Sequence, residues 1–159
     1  LEEDRPLGTA GALSLLPNMG ANGPLLIINS DLMTNLDYRW IIDFHNARGG
    51  GATVCTREYS LEIPYGVVEI EDQSVKGILE KPLQRYQVNA GIYVLDQEAI
   101  DIVSKEQMID MTEVLIQQIS ANRKVNAYPI HEDWADIGRH SDYRRAIDTI
   151  NIPKNLPGE

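Results

Sequence analysis

The sequence has 159 residues, of which 43% are hydrophobic and 24% are charged, so it is long enough to form one packed core. Twenty-four acidic residues against fourteen basic ones give a net charge of −10, which argues against a nucleic acid as partner. No apolar run approaches the ~18 residues of a membrane span. The single cysteine, Cys55, excludes an internal disulfide and a multi-cysteine zinc site. We therefore expect a reduced, cytoplasmic, globular chain.

The first half of the chain alternates between helical and strand patterns. It predicts helix, strand, helix and strand, in that order, over residues 8–16, 25–28, 36–47 and 52–56. The continuous apolar run Leu25–Ile28 is typical of a strand buried on both faces of a parallel sheet. Gly49 is expected to cap the second helix, whose apolar face is predicted to contain Leu36, Trp40, Ile41, Phe44 and Ala47. The order strand, helix, strand predicts a βαβ crossover.

The second half is richer in strands, predicted over residues 65–70, 75–80, 88–95 and 125–130. Asp110 and Glu113 have the spacing of a capping box that opens a helix. A short apolar piece covers 134–137, Ser141 is expected to cap a last helix, and 152–159 is expected to be irregular. The order of elements predicts an α/β chain with a mixed sheet.

Two acidic residues follow apolar segments that are far apart in the sequence. Asp31 ends the run Asn29-Ser30-Asp31 after the first strand, and Asp136 lies in Trp134–Gly138. Ligands of open α/β sheets bind beyond the carboxyl ends of the strands, and paired carboxylates there suit Mg²⁺. The alternative for Asp31 is a cap of the turn into the next helix, because Asp and Asn are common turn formers.

Three further segments carry groups suited to an anionic or sugar ligand. Lys81 in Glu80-Lys81-Pro82 could serve as a point charge for a phosphate, or as half of a solvated charge pair at a turn. The Asn89 amide could bind a sugar hydroxyl beside Gly91, or the segment could be a bulged strand. The small residues of Gly8–Ala12 would let a flat ring or a phosphate approach the backbone.

In this order, the segments resemble the sugar-1-phosphate nucleotidylyltransferases. The matching runs are PLGTAGAL (6–13), LLIINSD (25–31), YGVVE (65–69), EKP (80–82), VNAGIY (88–93), DMTEVL (110–115) and WADIG (134–138). The resemblance implies a Rossmann-like, mostly parallel mixed sheet flanked by helices. It also implies an enzyme that joins a nucleoside triphosphate to a sugar 1-phosphate, giving a nucleotide sugar for polysaccharide synthesis and pyrophosphate.

The resemblance also implies roles for individual residues. Asp31, Lys81 and Asp136 would be catalytic, and Asp31 and Asp136 would hold the Mg²⁺ cofactor. The nucleotide would lie against Gly8, Thr9, Ala10, Gly11 and Ser30. The sugar phosphate would be bound by Gly66, Glu80, Lys81, Asn89 and Gly91.

The family's opening loop, G-G-x-G-x-R-L-x-P-L-T, does not occur in these 159 residues. We therefore expect residues 1–151 to be the C-terminal portion of a nucleotidyltransferase domain, an incomplete fold that is inactive alone and tends to associate as a homo-oligomer. The GTAGAL run is similar to that of guanylyltransferases, which favours GTP. A non-catalytic regulatory or binding module with the same fold is the alternative function, and a response-regulator-like nucleotide binder agrees less well with the EKP and NAG segments.

Overall fold

The computed structural model describes residues 4–17, 23–104 and 107–138. It contains four helices and eight strands in this part of the chain. The helices are α1 (Gly8–Gly11, continued by a 3₁₀ turn over Ala12–Leu15), α2 (Tyr38–Arg48), α3 (Gln97–Ile100) and α4 (Met111–Ser120). The strands are β1 (Leu25–Ile28), β2 (Leu32–Thr34), β3 (Ala52–Glu62), β4 (Val67–Glu71), β5 (Ser74–Leu79), β6 (Leu83–Leu95), β7 (Val125–Pro129) and β8 (Trp134–Asp136).

The main sheet has the strand order β1-β6-β3-β7. Both β1 and β3 run antiparallel to β6, so they are parallel to each other, and α2 connects them as the predicted crossover. The mixed α/β class is confirmed, although β3–β7 is the one parallel pairing in the described sheet. The sheet contains fewer parallel strand pairs than the sequence predicts, because β6 lies between the parallel strands β1 and β3 and is antiparallel to both.

The sequence predicts that strand β1 is fully buried on both faces, and this prediction is wrong. The strand lies at the edge of the described sheet, its residues are partly exposed, and Ile28 retains 38% of its exposure. Its continuous apolar run does not distinguish an edge position from a central one, because that depends on which strands lie beside it.

Apolar side chains alternate across the main sheet and form a core on each face. Along β6, Tyr93 and Leu95 pack into one cluster with α4, while Ile92 and Val94 pack into the other with Ile41 of α2. This period of two is the one expected for a strand covered on both faces. The sheet is therefore the middle layer between helices.

Helix α2 presents only part of the predicted face to the core, since Leu36, which precedes the helix, and Ile41 are buried as predicted. Ile41 and His45, four residues apart, are buried, whereas Trp40 is 56% exposed and Ala47 is exposed. The expected core position of Trp40 is thus wrong, because the helix is rotated to bring His45 to the sheet. There His45 Nδ1 lies 2.8 Å from Thr53 Oγ1, and its Nε2 lies 3.2 Å from Asp96 Oδ1.

Local signals at helix ends are confirmed. Gly49 adopts a φ of 60° and donates its N–H to the His45 carbonyl at 2.9 Å. At the start of α4, Glu113 accepts a hydrogen bond from the Asp110 N–H at 3.3 Å in a capping box. The predicted last helix from Ser141, the boundary at 151 and the tail 152–159 lie outside the described residues.

The remaining strands form two small antiparallel sheets, β2–β8 and the hairpin β4–β5. Asp72 and Gln73, with φ values of 48° and 62°, form the tight turn of the hairpin, where two successive positive φ angles match the strand twist. Among the described helices, none is long and apolar enough to cross a membrane.

Candidate active site

The carboxylates of Asp31 and Asp136 converge on Gly138. Leu32 of β2 pairs with Asp136 of β8, and the Ile137 N–H donates to the Asp31 carbonyl at 2.8 Å. A Cβ placed on Gly138 would lie 2.8 Å from Asp31 Oδ2 and 3.1 Å from Asp136 Oδ1. The two oxygens are therefore at most 5.9 Å apart, the sum of those distances.

This acidic pair is exposed and has the chemistry of a hard-cation site. Both aspartates are exposed. Because Gly138 has no Cβ, the space between its backbone and the two carboxylates stays open. In the described part of the chain, no cluster contains three or more His, Cys, Asp or Glu residues that could hold a metal. Two carboxylates leave coordination positions for water and phosphate oxygens, which is the usual arrangement for Mg²⁺.

A bulge in β6 anchors both acidic segments. Val54 of β3 pairs with Tyr93, but Thr56 pairs with Asn89, so the three residues between them on β6 lie opposite Cys55 alone. The Asn29 N–H donates to the Gly91 carbonyl and the Trp134 Nε1–H donates to the Ala90 carbonyl, each at 2.9 Å.

Gly91 is required at the centre of this bulge. Its φ of 72° lies in the left-handed region, and a Cβ there would lie 2.8 Å from the Asn29 side-chain nitrogen. The glycine thus permits the close approach of the acidic segment to β6.

The Asn89 amide is exposed and held at both of its ends. Its Nδ2 donates to Tyr93 Oη at 2.8 Å, and its Oδ1 accepts from the Gly91 N–H at 2.9 Å. Burial raises the pKa of Tyr93 above its usual value, and the opposing effect of the Asn89 hydrogen bond is smaller. The phenol is therefore protonated at neutral pH and available to this amide.

The predicted sugar-phosphate residues Gly66, Glu80 and Lys81 lie at the base of the β4–β5 hairpin. A Cβ on Gly66 would lie 3.2 Å from Glu80 Oε2, so the carboxylate and this stretch of backbone are neighbours. The Ile63 N–H donates to the Pro82 carbonyl at 3.1 Å, next to the Glu62–Leu83 pair of β3 and β6, and Lys81 in the adjoining bend has a φ of 43°. Within residues 4–17, 23–104 and 107–138, neither Glu80 nor Lys81 forms an ion pair or a side-chain hydrogen bond.

The hairpin is not joined to the acidic pair by a hydrogen bond or ion pair between described residues. The predicted residues therefore form three separate groups of neighbours, which are Asp31 with Asp136, Asn89 with Gly91, and Gly66 with Glu80. Ser30 is exposed in the turn beside Asp31.

The predicted nucleotide segment packs against the start of α4. The Thr9 N–H donates to Asp110 Oδ1 at 3.0 Å, and Thr9 Oγ1 accepts from the Met111 N–H at 2.9 Å. Ala10 and Gly11 are buried, whereas Gly8 is half-buried and Thr9 is exposed. The small residues thus serve internal packing, and the part of this segment that a ligand can reach is at Gly8 and Thr9.

The candidate segments of the sequence contain Asn29, Tyr93 and Trp134, but sequence reasoning did not predict that these residues hold the site in place. Tyr93 and Asn29 act through contacts across a bulge, and the Trp134 N–H reaches another strand. The glycine in Val88-Asn89-Ala90-Gly91 was the one sequence signal for the bulge.

A sequence model of the "Nucleotidyl transferase" family matches residues 1–151. The chain belongs to this family. A protein of Oryza sativa subsp. japonica named "Probable mannose-1-phosphate guanylyltransferase 1" is 34% identical over 149 residues, in an alignment that covers 89% of this chain and 41% of that protein. The mannose-1-phosphate guanyltransferase of Pichia angusta is 30% identical over 152 residues, in an alignment that again covers 89% of this chain and 40% of that protein. The chain thus spans about two fifths of the length of these curated relatives.

Solved structures share the fold. HddC from Yersinia pseudotuberculosis aligns with a TM-score of 0.64 at 23% identity, covering 92% of this chain and 64% of that one. A structure from Bacillus anthracis in complex with a sucrose aligns with a TM-score of 0.67 at 22% identity, covering 96% of this chain and 65% of that one. These similarities agree with the mixed α/β sheet described above.

Proposed function

We propose that the natural protein containing this sequence is a sugar-1-phosphate nucleotidylyltransferase. A phosphate oxygen of the sugar 1-phosphate attacks the α-phosphorus of a nucleoside triphosphate, and the bond to the departing pyrophosphate breaks. The observation that carries the proposal is the convergence of the Asp31 and Asp136 carboxylates at Gly138. Such transfer depends on positioning and charge neutralisation more than on covalent chemistry by the protein.

Asp31 and Asp136 would hold Mg²⁺, and this ion, when bound, would neutralise phosphate charge. The exposed carboxylates and the open space at Gly138 agree with this ligand set. The remaining coordination positions suit oxygens of the substrate.

The sugar phosphate would lie between the hairpin and the β6 bulge. Lys81 would offset the repulsion between the two anionic substrates, and its lack of an ion pair among described residues supports this role. Glu80 and the Asn89 amide would bind sugar hydroxyls, with the backbone of Gly66 and Gly91 close beside them.

The nucleotide would lie against Gly8, Thr9 and Ser30, with Ala10 and Gly11 supporting the segment from within. GTP is the donor that we favour, because the curated relatives named above are guanylyltransferases of mannose 1-phosphate. The product would be a nucleotide sugar for polysaccharide synthesis, made in the cytoplasm, where a buried free thiol such as Cys55 stays reduced.

The test is pyrophosphate release by the natural protein with Mg²⁺, mannose 1-phosphate, and GTP, dTTP, UTP or CTP in turn. We expect GTP to give the highest rate, and Asp31→Asn and Asp136→Asn to lower kcat about 10²–10³-fold, as for other single electrostatic contacts. Asp133→Asn is the matched control, since Asp133 is an exposed aspartate beside the same strand. Substrate binding without turnover in the wild type would favour the non-catalytic module.

The isolated chain of residues 1–159 offers a second test. We propose that it forms no nucleotide sugar by itself, because the G-x-G-x-R triphosphate loop does not occur in it. We also propose that it associates with itself, which light scattering measures. A normal rate of pyrophosphate release, or a monomer at all concentrations, would contradict the respective statement.

A further inference from the structure

We propose that Tyr93 is a positioning residue that fixes the Asn89 amide for recognition of a sugar hydroxyl. The inference rests on the proposed function, in which Asn89 binds the sugar. It assigns a role to a buried side chain that does not reach the ligand surface itself, since Tyr93 is only 3% exposed.

The contact between these side chains exists because the strand is distorted. Residues four apart in a regular strand are separated by about 13 Å. Here Asn89 Nδ2 lies 2.8 Å from Tyr93 Oη, and the β6 bulge with its left-handed Gly91 lies between the two residues. The bulge therefore folds the backbone so that a core tyrosine lies against an exposed amide.

The two hydrogen bonds at Asn89 determine which way its amide faces. Tyr93 accepts from Nδ2, and the Gly91 N–H donates to Oδ1, so a flipped amide would lose both bonds. One Nδ2 hydrogen and one Oδ1 lone pair are left for a ligand. A hydroxyl, which both donates and accepts, matches this pair.

The acceptor itself is held firmly. The Tyr93 ring belongs to the core cluster that also contains Leu95 and Val114, both fully buried. Losing the Tyr93 hydroxyl would leave the Gly91 N–H as the only protein partner of the amide in the described structure, and the amide would have to be ordered again each time the sugar binds.

The main experiment compares Tyr93→Phe, Asn89→Ala and the double variant in the natural protein, with mannose 1-phosphate and GTP. We expect Tyr93→Phe to raise the KM for mannose 1-phosphate about three- to tenfold, the effect of one hydrogen bond, and to leave the KM for GTP unchanged. In the Asn89→Ala background, Tyr93→Phe should cause no further increase, because the amide that it orients is gone.

Tyr128→Phe is the matched control, because that ring packs on Phe44 and its hydroxyl makes no hydrogen bond among the described residues. It should change neither KM. If Tyr93 had only a structural role, Tyr93→Phe would lower the Tm and raise the KM for both substrates equally. The increase would also be the same in the wild-type and the Asn89→Ala backgrounds. That result would overturn the inference.

A second readout does not depend on turnover. The side-chain ¹⁵N–¹H pair of Asn89, identified by its loss in Asn89→Ala, should shift in Tyr93→Phe and stay in place in Tyr128→Phe. An unchanged pair in Tyr93→Phe overturns the positioning role. If the pair shifts but Asn89→Ala leaves the KM for mannose 1-phosphate unchanged, the sugar role of Asn89 in the proposed function fails instead, and the recognition role of Tyr93 fails with it.

Discussion

Asn29 and Trp134 donate hydrogen bonds to adjacent carbonyl oxygens of β6, those of Gly91 and Ala90, each at 2.9 Å. Each donor precedes an aspartate of the acidic pair by two residues, since Asn29 leads to Asp31 and Trp134 leads to Asp136. The β6 bulge thus holds both acidic segments at matching distances along the chain. The separation of the two carboxylates depends on this bulge together with the pairing of β2 with β8.

Trp134→Phe should loosen one of these anchors while keeping an aromatic ring. The carbonyl of Ala90, a residue that is 1% exposed, would lose its donor, so we expect the free energy of unfolding to fall by about 1 kcal/mol. Urea denaturation measures this change, and kcat should fall because Asp136 is held less firmly. Trp40→Phe, at a surface position, should change stability by less than about 0.5 kcal/mol. Equal losses in the two variants would contradict the anchoring role.

Gly138→Ala should act on the acidic pair directly. The new methyl group would lie 2.8 Å from Asp31 Oδ2, closer than a carbon atom can approach, so the carboxylates must move apart. We expect a higher Mg²⁺ concentration at half-maximal rate, and a smaller rise in Tm on adding Mg²⁺, because bound ligand stabilises the folded state. Gly77→Ala is the control, because its nearest neighbour is the flexible end of Glu69 at 3.2 Å. An unaltered Mg²⁺ requirement in Gly138→Ala would exclude this site.

Local chemistry made part of this structure predictable from the sequence. The capping box at Asp110 and the glycine cap at Gly49, which has a positive φ, depend on residues within one helical turn, and both are confirmed. The two acidic segments were expected to meet because each follows a short apolar run, and their carboxylates do converge. The roles of these residues in binding and catalysis stay predictions.

The features that were missed depend on contacts between distant segments. Strands β3 and β6 extend well beyond the predicted 52–56 and 88–95, because their outer halves are polar and are stabilised by pairing with each other. Burial of His45 in place of Trp40 follows from the positions of Thr53 and Asp96 on other elements. No periodicity within α2 carries that information.

Asp110→Ala should weaken the link between the predicted nucleotide segment and α4. The variant loses the helix cap and the acceptor for the Thr9 N–H, so we expect a loss of about 1 kcal/mol in stability. The KM for GTP should rise while that for mannose 1-phosphate stays constant, because Thr9 would keep the hydrogen bond from the Met111 N–H but lose the acceptor of its own N–H. Asp110→Asn keeps an acceptor oxygen and should therefore retain most of the stability and a KM for GTP close to that of the wild type. A rise in both KM values would instead indicate a general disturbance of the fold.

Alkaline pH should destabilise the protein through Cys55. Burial, with a smaller effect of the Glu132 charge, raises the pKa of the Cys55 thiol from 9.0 to about 12. The unfolded chain therefore releases this proton near pH 9 while the folded chain retains it. The contribution of the buried thiol to the free energy of unfolding is complete below pH 9 and is lost as the pH rises towards 12.

Urea midpoints of the wild type and Cys55→Ala, measured at about pH 8 and about pH 10.5, isolate this effect. The wild type should lose more stability between the two pH values than the variant. Burial raises the pKa values of Tyr93 and Tyr128 in both proteins, whereas the smaller effect of the Cys55 charge on these two groups is present only in the wild type. A thiol reagent should modify Cys55 in urea but react very slowly with the folded protein at neutral pH, since the thiolate is the reactive form. Rapid modification of the folded protein, or identical pH dependence in both proteins, would show that the thiol is not held in its protonated, buried state.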